Sequence, residues 1–328
     1  MQDGSNIKNK PVTKRILSLD QFRGFAIFGM ILVNFLGHFD VIPETFKHPR
    51  FGMTFANAIA PYFLFAVGMG FRLSLQRKIT KLGKTKAYLL SIKRYIILIA
   101  IGVVLYGPDP VCDMWDALVD IGFGGLLALP FIVSNRFVRI SMAFVFLIFH
   151  QLLFALTPYG EWTMVNSIDG GPLGIFPWSS ILIFGTIIMD YLVELPQKHF
   201  IKNSLVLGVL LMILGYGLSL LEPQSLWQFS QRSMTMAYPL FSAGLSIITY
   251  VAFYAINDIR KIEIPHLTLF GMNPLAIYIL QQVLIALTLA FMPGDTPLLP
   301  ALLGFVVIYG VCYLVALYLW KKQYILRI

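Results

Sequence analysis

The sequence predicts an all-α membrane protein in which about ten transmembrane helices form a single bundle. Three observations support this fold class. Of the 328 residues, 58% are hydrophobic and 12% are charged, whereas soluble domains carry about 25% charged residues. The mean hydropathy is +0.76. The apolar residues fall into long runs joined by short loops, and a membrane span needs about 20 such residues.

Each apolar run predicts one helix of this bundle. The third run is short because Gly107-Pro108-Asp109-Pro110 stops it. Residues 1–18 are polar and basic, so we expect a cytosolic tail there, followed by one transmembrane domain over 19–328. The runs lie at 22–40, 54–76, 94–106, 116–134, 138–156, 176–195, 203–221, 235–256, 267–291 and 299–320.

The basic residues predict the orientation of these helices. With the N-terminus inside, all Lys and Arg except Lys47, Arg50 and Arg232 fall in inner segments or at inner helix ends. The positive-inside rule then predicts that both termini are cytosolic. The same distribution explains the net charge of +9 without a nucleic-acid partner. No Asn-x-Ser/Thr sequon occurs, which favours a prokaryotic plasma membrane, and we find no metal-ligand spacing.

The stretch from Leu19 to Gly68 carries the most informative polar residues. Asp20 and Arg23 open the first helix at its cytosolic end, and Asn34 follows roughly 16 Å further along it. His48 lies in the first external loop. Each residue also has a structural explanation, namely an interfacial ion pair, an interhelical hydrogen bond and a solvated loop histidine. His38 shares the helical face of Asn34 and competes with His48 for an acid–base role.

Acidic residues collect on the predicted outer side. An aspartate inside a membrane costs roughly 2.5–3.5 kcal/mol, so Asp120 should face a cavity or a partner. An acidic, aromatic-lined vestibule suits a cationic or polyhydroxyl substrate, although external acids also simply follow from the topology. The turn-rich loop at 169–174 and the external Arg232 also lie on this side. The candidates for substrate binding here are Asp113, Asp116, Asp120, Asp169 and Arg232.

Several motifs together resemble a known family. The stretch LSLDQFRGFAIFGMILVNF, then FKH, then PYFLFAVG resembles the catalytic domain of heparan-alpha-glucosaminide N-acetyltransferase and its prokaryotic relatives. Three later stretches are similar too and follow in the same order, which extends the resemblance over residues 15 to 290. They read GGPLGIFPWSSILIFG, SQRSMTMAYPLFSAG and LFGMNPLAIYIL.

The resemblance implies transfer of an acetyl group from cytosolic acetyl-CoA to an amine or hydroxyl of a sugar, first of all an aminosugar, at the outer side. It implies that His48 is the catalytic imidazole and that Asn34 lies beside the thioester. His48 would act as general base or carry the acetyl group itself. The resemblance also implies a homodimer in the lipid bilayer. It adds Asn273, from the Gly-Met-Asn segment, to the substrate candidates. The candidates for binding CoA at the cytosolic mouth are Asp20, Arg23, Arg72, Arg77 and Lys78.

The chain departs from the family pattern at two positions. Asn57 stands where the family often has Asp, and Asp120 stands where it often has Arg. The second change reverses a charge, which leaves the acceptor less defined than the chemistry. Two other functions stay open. A secondary transporter would also have Gly/Pro-broken spans, but we find no second copy of the Asp-x-x-Arg-Gly pattern. An acyltransferase acting on a lipid or a cell-wall glycan shares every feature except the acceptor.

Overall fold

The computed structural model describes residues 15–109, 111 and 114–324, and these residues contain helices and no strand. Thirteen α-helices, α1 to α13, follow in chain order. Their bounds are Leu17–Leu36, Phe55–Leu82, Lys84–Tyr106, Ala117–Ala128, Arg136–Leu156, Tyr159–Asn166, Ile175–Glu194, Gln197–Ser219, Gln224–Trp227, Ala237–Tyr254, Pro265–Met272, Pro274–Leu289 and Leu298–Lys321.

Each of the ten predicted runs coincides with one of these helices or with a helix pair. Among the described residues, eight helical segments are long and apolar enough to cross a membrane. The pair α11 and α12 passes the same test together but is bent by 95°, and α4 is shorter. The prediction of an all-helical, polytopic membrane protein is thus confirmed. The number of crossings and the side on which the termini lie stay predictions.

The structure differs from the predicted runs at three places. Helix α3 begins at Lys84, ten positions before its apolar run, because Lys and Arg are good helix formers outside the hydrocarbon. The short helix α6 fills a loop that carried no apolar run. The break between α11 and α12 lies at Asn273, because Pro274 lacks an N–H donor and disfavours helical geometry at the preceding residue.

Helices α2 and α7 form the centre of the bundle. In α7, 78% of the apolar window is buried, compared with 17% in α13. Glycines allow α2 and α7 to touch along their backbones. A Cβ at Gly68 would collide with the carbonyl oxygen of Leu182, and one at Gly185 would collide with that of Phe65. Close contact of this kind is typical of helix pairs in membranes.

The two ends of the bundle differ in chemistry. Arg15, close to the start of the described chain, lines the same cavity as Met272 and Pro274. Asn273 Nδ2 between them donates to the carbonyl oxygen of Tyr324 at 3.0 Å. The described chain therefore starts and finishes at one end, which we call the basic end. The opposite end carries the loop of His48, and we call it the His48 end.

Candidate functional site

A cavity of about 810 Å³ opens at the basic end. Helices α1, α2 and α3 form much of its wall, and α4, α11 and α12 complete it. Its charged lining consists, among the described residues, of six cationic side chains and one carboxylate. These are Arg15, Arg23, Arg77, Lys78, Lys81, Arg94 and Asp20. Such a wall attracts a polyanion.

Arg23 is fixed in this wall by its neighbours on α1 and α2. Its Nη1 lies 3.9 Å from Asp20 Oδ1, and its Nη2 donates to the carbonyl oxygen of Ala66 at 3.4 Å. Arg15 forms an ion pair with the same aspartate. Gly70 faces Arg23 Nη2, and a Cβ at that position would collide with the guanidinium. The glycine therefore keeps room for Arg23 in the cavity wall.

Four of the five predicted CoA-binding residues, Asp20, Arg23, Arg77 and Lys78, line this cavity. Arg72 lies elsewhere. It is 7% exposed, its Nε donates to Asp190 Oδ1 at 2.7 Å, and Asp190 also pairs with Arg139. Buried charges need such partners, so Arg72 belongs to the packing between α2 and α7. Its predicted role in CoA binding stays a prediction.

A second, much smaller cavity of about 10 Å³ lies further into the bundle, with room for roughly one water molecule. Phe63 and Ile121 line both cavities, so the two spaces are neighbours. Apolar residues form most of the lining, and two carboxyl groups complete it. The lining residues are Met30, Ala60, Phe63, Leu64, Ala117, Asp120, Ile121, Asp169 and Trp178.

The two carboxyl groups of the small cavity are deeply buried. Asp120 is 1% exposed, and neither of its carboxylate oxygens has a hydrogen-bond partner among the described residues. Asp169 is 5% exposed, and its Oδ1 accepts from Gln231 Nε2 at 2.7 Å. Burial, followed by the negative charge of Asp116, raises the pKa of Asp169 to about 7, while Gln231 and Arg232 oppose the shift. The described His, Cys, Asp and Glu residues contain no group of three that could hold a metal ion.

Gln231 connects Asp169 of this pair to the loop of His48. Its Oε1 accepts from Asn57 Nδ2 at 2.9 Å. Asn57 Oδ1 in turn accepts from the backbone N–H of Thr54 at 3.2 Å, as part of the capping box that starts α2. The Thr54 hydroxyl donates to the carbonyl oxygen of Lys47, the residue before His48, at 2.9 Å. One hydrogen-bond network therefore holds both Asp169 and the histidine loop.

His48 lies at the surface at the end of this network. Partial loss of hydration within its loop lowers the pKa of the His48 imidazole, while Gln231 opposes this shift. A pKa below 6.5 leaves the imidazole neutral at pH 7. His48 can therefore accept a proton, as a general base must.

The other two catalytic candidates, Asn34 and His38, lie in different surroundings. Asn34 is half-buried on α1, one turn from Met30 of the small cavity, and makes no hydrogen bond within the described part of the chain. His38 is exposed just after α1 and packs against Phe39, outside the Gln231 network.

The remaining predicted substrate residues are Arg232, Asn273 and Asp113. The carbonyl oxygen of Arg232 accepts from Gly170 N at 3.1 Å, which places Arg232 beside Asp169. Asn273 lies at the basic end, away from the end where we expect the acceptor. Asp113 falls outside the described residues.

Sequence reasoning missed several residues of the site. Arg15, Lys81 and Arg94 line the large cavity, but the positive-inside rule predicts cations at this end whether or not they bind a ligand. Gln231 lies in the SQRS segment that carried part of the resemblance, and Asn57 was noted only as a departure. Their role depends on the contact between them, which the sequence does not display.

Comparison with known proteins gives a matching family and a similar curated protein. Residues 15–215 match the family described as "Heparan-alpha-glucosaminide N-acetyltransferase, catalytic". A curated relative from Bacillus acidopullulyticus, the "Uncharacterized 39.9 kDa protein in amylase 3'region", is 32% identical over 148 residues. That match covers 43% of this chain and 41% of the relative, so the chain spans less than half of the relative's length. The relative's name states no activity.

Proposed function

The chain belongs to the heparan-alpha-glucosaminide N-acetyltransferase catalytic family, and from this premise we propose that it moves an acetyl group from acetyl-CoA to a sugar acceptor. The donor binds at the basic end, and the acceptor arrives at the His48 end. One observation supports this function most strongly. The large cationic cavity and the small acidic cavity share Phe63 and Ile121 in their walls, and a hydrogen-bond network through Gln231 runs from Asp169 of the small cavity to Lys47, the residue before His48.

The large cavity suits a CoA thioester in charge and in lining. The phosphates of CoA are anionic, and arginine binds phosphate through paired N–H donors. Beyond the cations, the walls become apolar at Val67, Leu98 and Leu118, which suits the less polar pantetheine arm. An arm that extends toward Phe63 and Ile121 brings the thioester next to the small cavity.

His48 supplies the proton transfer in this proposal. As the acceptor amine or hydroxyl attacks the thioester carbon, neutral His48 takes its proton. The tetrahedral intermediate then expels the CoA thiolate, and the proton returns from His48 to the sulfur. The Asn34 side chain, one turn from Met30, offers an N–H group to the oxyanion. Attack by His48 itself, with an acetyl-imidazole intermediate, uses the same groups.

The proposal also includes the acceptor and the orientation of the protein in the membrane. We propose an aminosugar as the first acceptor to test, with other glycans and lipids as alternatives. We also propose that the basic end faces the cytosol of a prokaryotic cell, as the charge distribution indicates. The homodimer stays a prediction.

Release of free thiol from acetyl-CoA by the purified protein tests this function. We expect glucosamine-dependent release, and we expect His48→Ala to lower the rate by about 10²–10⁴-fold because the general base is lost. His38→Ala is the matched control and should keep the wild-type rate. In sealed vesicles, donor and acceptor on opposite sides should still react.

Two results would contradict the proposal. The first is that the wild-type protein neither binds acetyl-CoA nor releases thiol with any aminosugar, glycan or lipid. The second is uptake of a sugar into vesicles without thiol release, which would indicate a transporter.

A further inference from the structure

We propose that the small cavity is the acyl subsite of the donor, and that the protonated carboxyl group of Asp120 donates a hydrogen bond to the thioester carbonyl oxygen there. This inference rests on the proposed function. It adds a catalytic group to the proposed reaction and assigns a purpose to the acidic pair.

The position of Asp120 is the first argument. Its side chain lines the small cavity, is 1% exposed, and has no partner for either oxygen among the described residues. Buried polar groups are normally hydrogen-bonded, so an unpaired carboxyl group beside a cavity indicates a ligand that completes it. Phe63 and Ile121 line both this cavity and the large one, so a pantetheine arm in the large cavity ends next to it, and movement of these two side chains would admit the acetyl group.

The charges around Asp120 are the second argument. Two carboxylates that share a poorly solvated site cannot both ionise and therefore share a proton. Asp169 lies across the same cavity, and the negative charges of both Asp116 and Asp169 act on Asp120. The cation that acts on Asp169 is Arg232. Four uncharged tyrosines on other helices interact electrostatically with these acids. They are Tyr106 on α3, Tyr159 on α6, Tyr238 on α10 and Tyr278 on α12.

The size of the cavity is the third argument. A space for about one water molecule is close to what a methyl group needs. The apolar side chains of Met30, Phe63 and Trp178 suit the acetyl methyl, and the carboxyl group of Asp120 suits the carbonyl oxygen. The space itself therefore suits the methyl end of an acetyl group, and the lining offers one polar partner to its carbonyl oxygen.

The proton balance of the step is simple. When the acceptor attacks, the carbon–oxygen double bond becomes an oxyanion, and the Asp120 O–H stabilises it by a hydrogen bond. The acceptor's proton goes to His48 and then to the departing thiolate. Asp120 keeps its own proton throughout. It can donate only in its protonated form, whereas the arginine often found here in the family is always charged.

Two substitutions separate this role from a packing role. Asp120→Asn keeps an N–H donor but cannot ionise, and Asp120→Leu has a similar size and no donor. We expect Asp120→Leu to lower kcat by about 10²–10³-fold and Asp120→Asn to stay within about tenfold of wild type. Wild-type kcat should fall at alkaline pH as the shared proton is lost, and Asp120→Asn should not show this fall.

Binding provides a second readout that does not need turnover. Wild type and Asp120→Asn should bind acetyl-CoA more tightly than CoA, and Asp120→Leu should lose that preference. The inference is overturned if Asp120→Leu keeps a kcat within threefold of wild type, or if Asp120→Asn retains the alkaline fall. Because Asp120→Leu can fail to fold, the pH profile of Asp120→Asn decides in that case. Absence of thiol release from wild type would instead refute the proposed function.

Discussion

At the scale of single residues, Gln231 is the side chain on which the site depends. Its amide N–H binds Asp169 and its carbonyl oxygen binds Asn57. Asp169 lines the small cavity, and Asn57 is part of the capping box that also holds the His48 loop. An amide can do this because it donates and accepts at once. A carboxylate at position 231 would repel Asp169.

Asp169 gives a testable pH dependence of stability. A carboxyl group whose pKa is raised in the folded protein binds its proton more tightly there than in the unfolded chain. Its stabilising contribution is full below the unfolded pKa of about 3.9 and is lost as the pH rises through about 7. The apparent Tm in detergent should therefore fall between about pH 4 and pH 7 and level off above that, because the free energy of unfolding drops by at most about 1.4 kcal/mol per pH unit in this window.

Asp169→Asn should flatten this pH dependence, because the amide does not titrate. Asp295→Asn, at an exposed position, serves as the control and should keep the wild-type slope. A slope that is identical in Asp169→Asn and wild type would show that another group causes it.

At the scale of elements, α2 combines three tasks on one helix. Its N-terminus carries the capping box beside His48. Phe63 lines both cavities, and Arg77 and Lys78 line the large one. Arg72 comes nine residues after Phe63, which is roughly 180° of helical rotation, so it points away from the cavity toward Asp190. The helix therefore needs a fixed rotation, and its close contact with α7 provides it.

Gly68→Ala tests this contact. The new Cβ would meet the backbone of Leu182, and overpacking of this kind costs about 1–3 kcal/mol. We expect a lower Tm and weaker acetyl-CoA binding, since Phe63 and Arg77 move with the helix. Gly217→Ala on α8 adds the same methyl group where no atom lies within 4 Å, and it should leave both values unchanged. Equal effects of the two substitutions would exclude the packing explanation.

At the scale of the whole molecule, the two cavities lie in series between ends of different chemistry. The larger is cationic and lies at the end where the described chain starts and finishes, and the smaller is acidic and lies toward His48. A donor and an acceptor of different charge can thus approach from opposite ends. This arrangement suits a transfer in which the carrier stays on one side of the membrane.

Neutralising the large cavity should weaken donor binding without changing the chemistry. Lys78→Gln and Arg94→Gln each remove a cation from the wall. Loss of a charge-assisted hydrogen bond should raise the KM for acetyl-CoA by about tenfold, with little change in kcat. High salt should shrink the difference from wild type, because it screens the attraction.

Lys84→Gln is the matched control, because Lys84 is exposed at the start of α3 and is not part of the cavity lining. Its KM should equal that of wild type. If all three substitutions raise KM equally, a general surface charge and not the cavity binds the donor.

The sequence by itself determined the fold class, the positions of the ten apolar segments, the clustering of cations in particular loops and the family. These properties are local, because hydropathy, charge and short motifs depend only on residues that are close together in the chain. It also singled out Asp120, since a polar group inside a membrane needs a partner or a ligand, and the resemblance to the family singled out His48.

Only the tertiary structure decided which of these residues meet. Asn57 and Gln231 are 174 positions apart, and Gln231 and Asp169 are 62 apart, so no local pattern joins them. Likewise, Arg72 and Arg77 are the same residue type on the same helix, so the sequence does not distinguish them. The rotation of α2 buries Arg72 against Asp190 and places Arg77 in the wall of the large cavity. The rotation of a helix is set by the helices packed around it, and that is a property of the whole bundle.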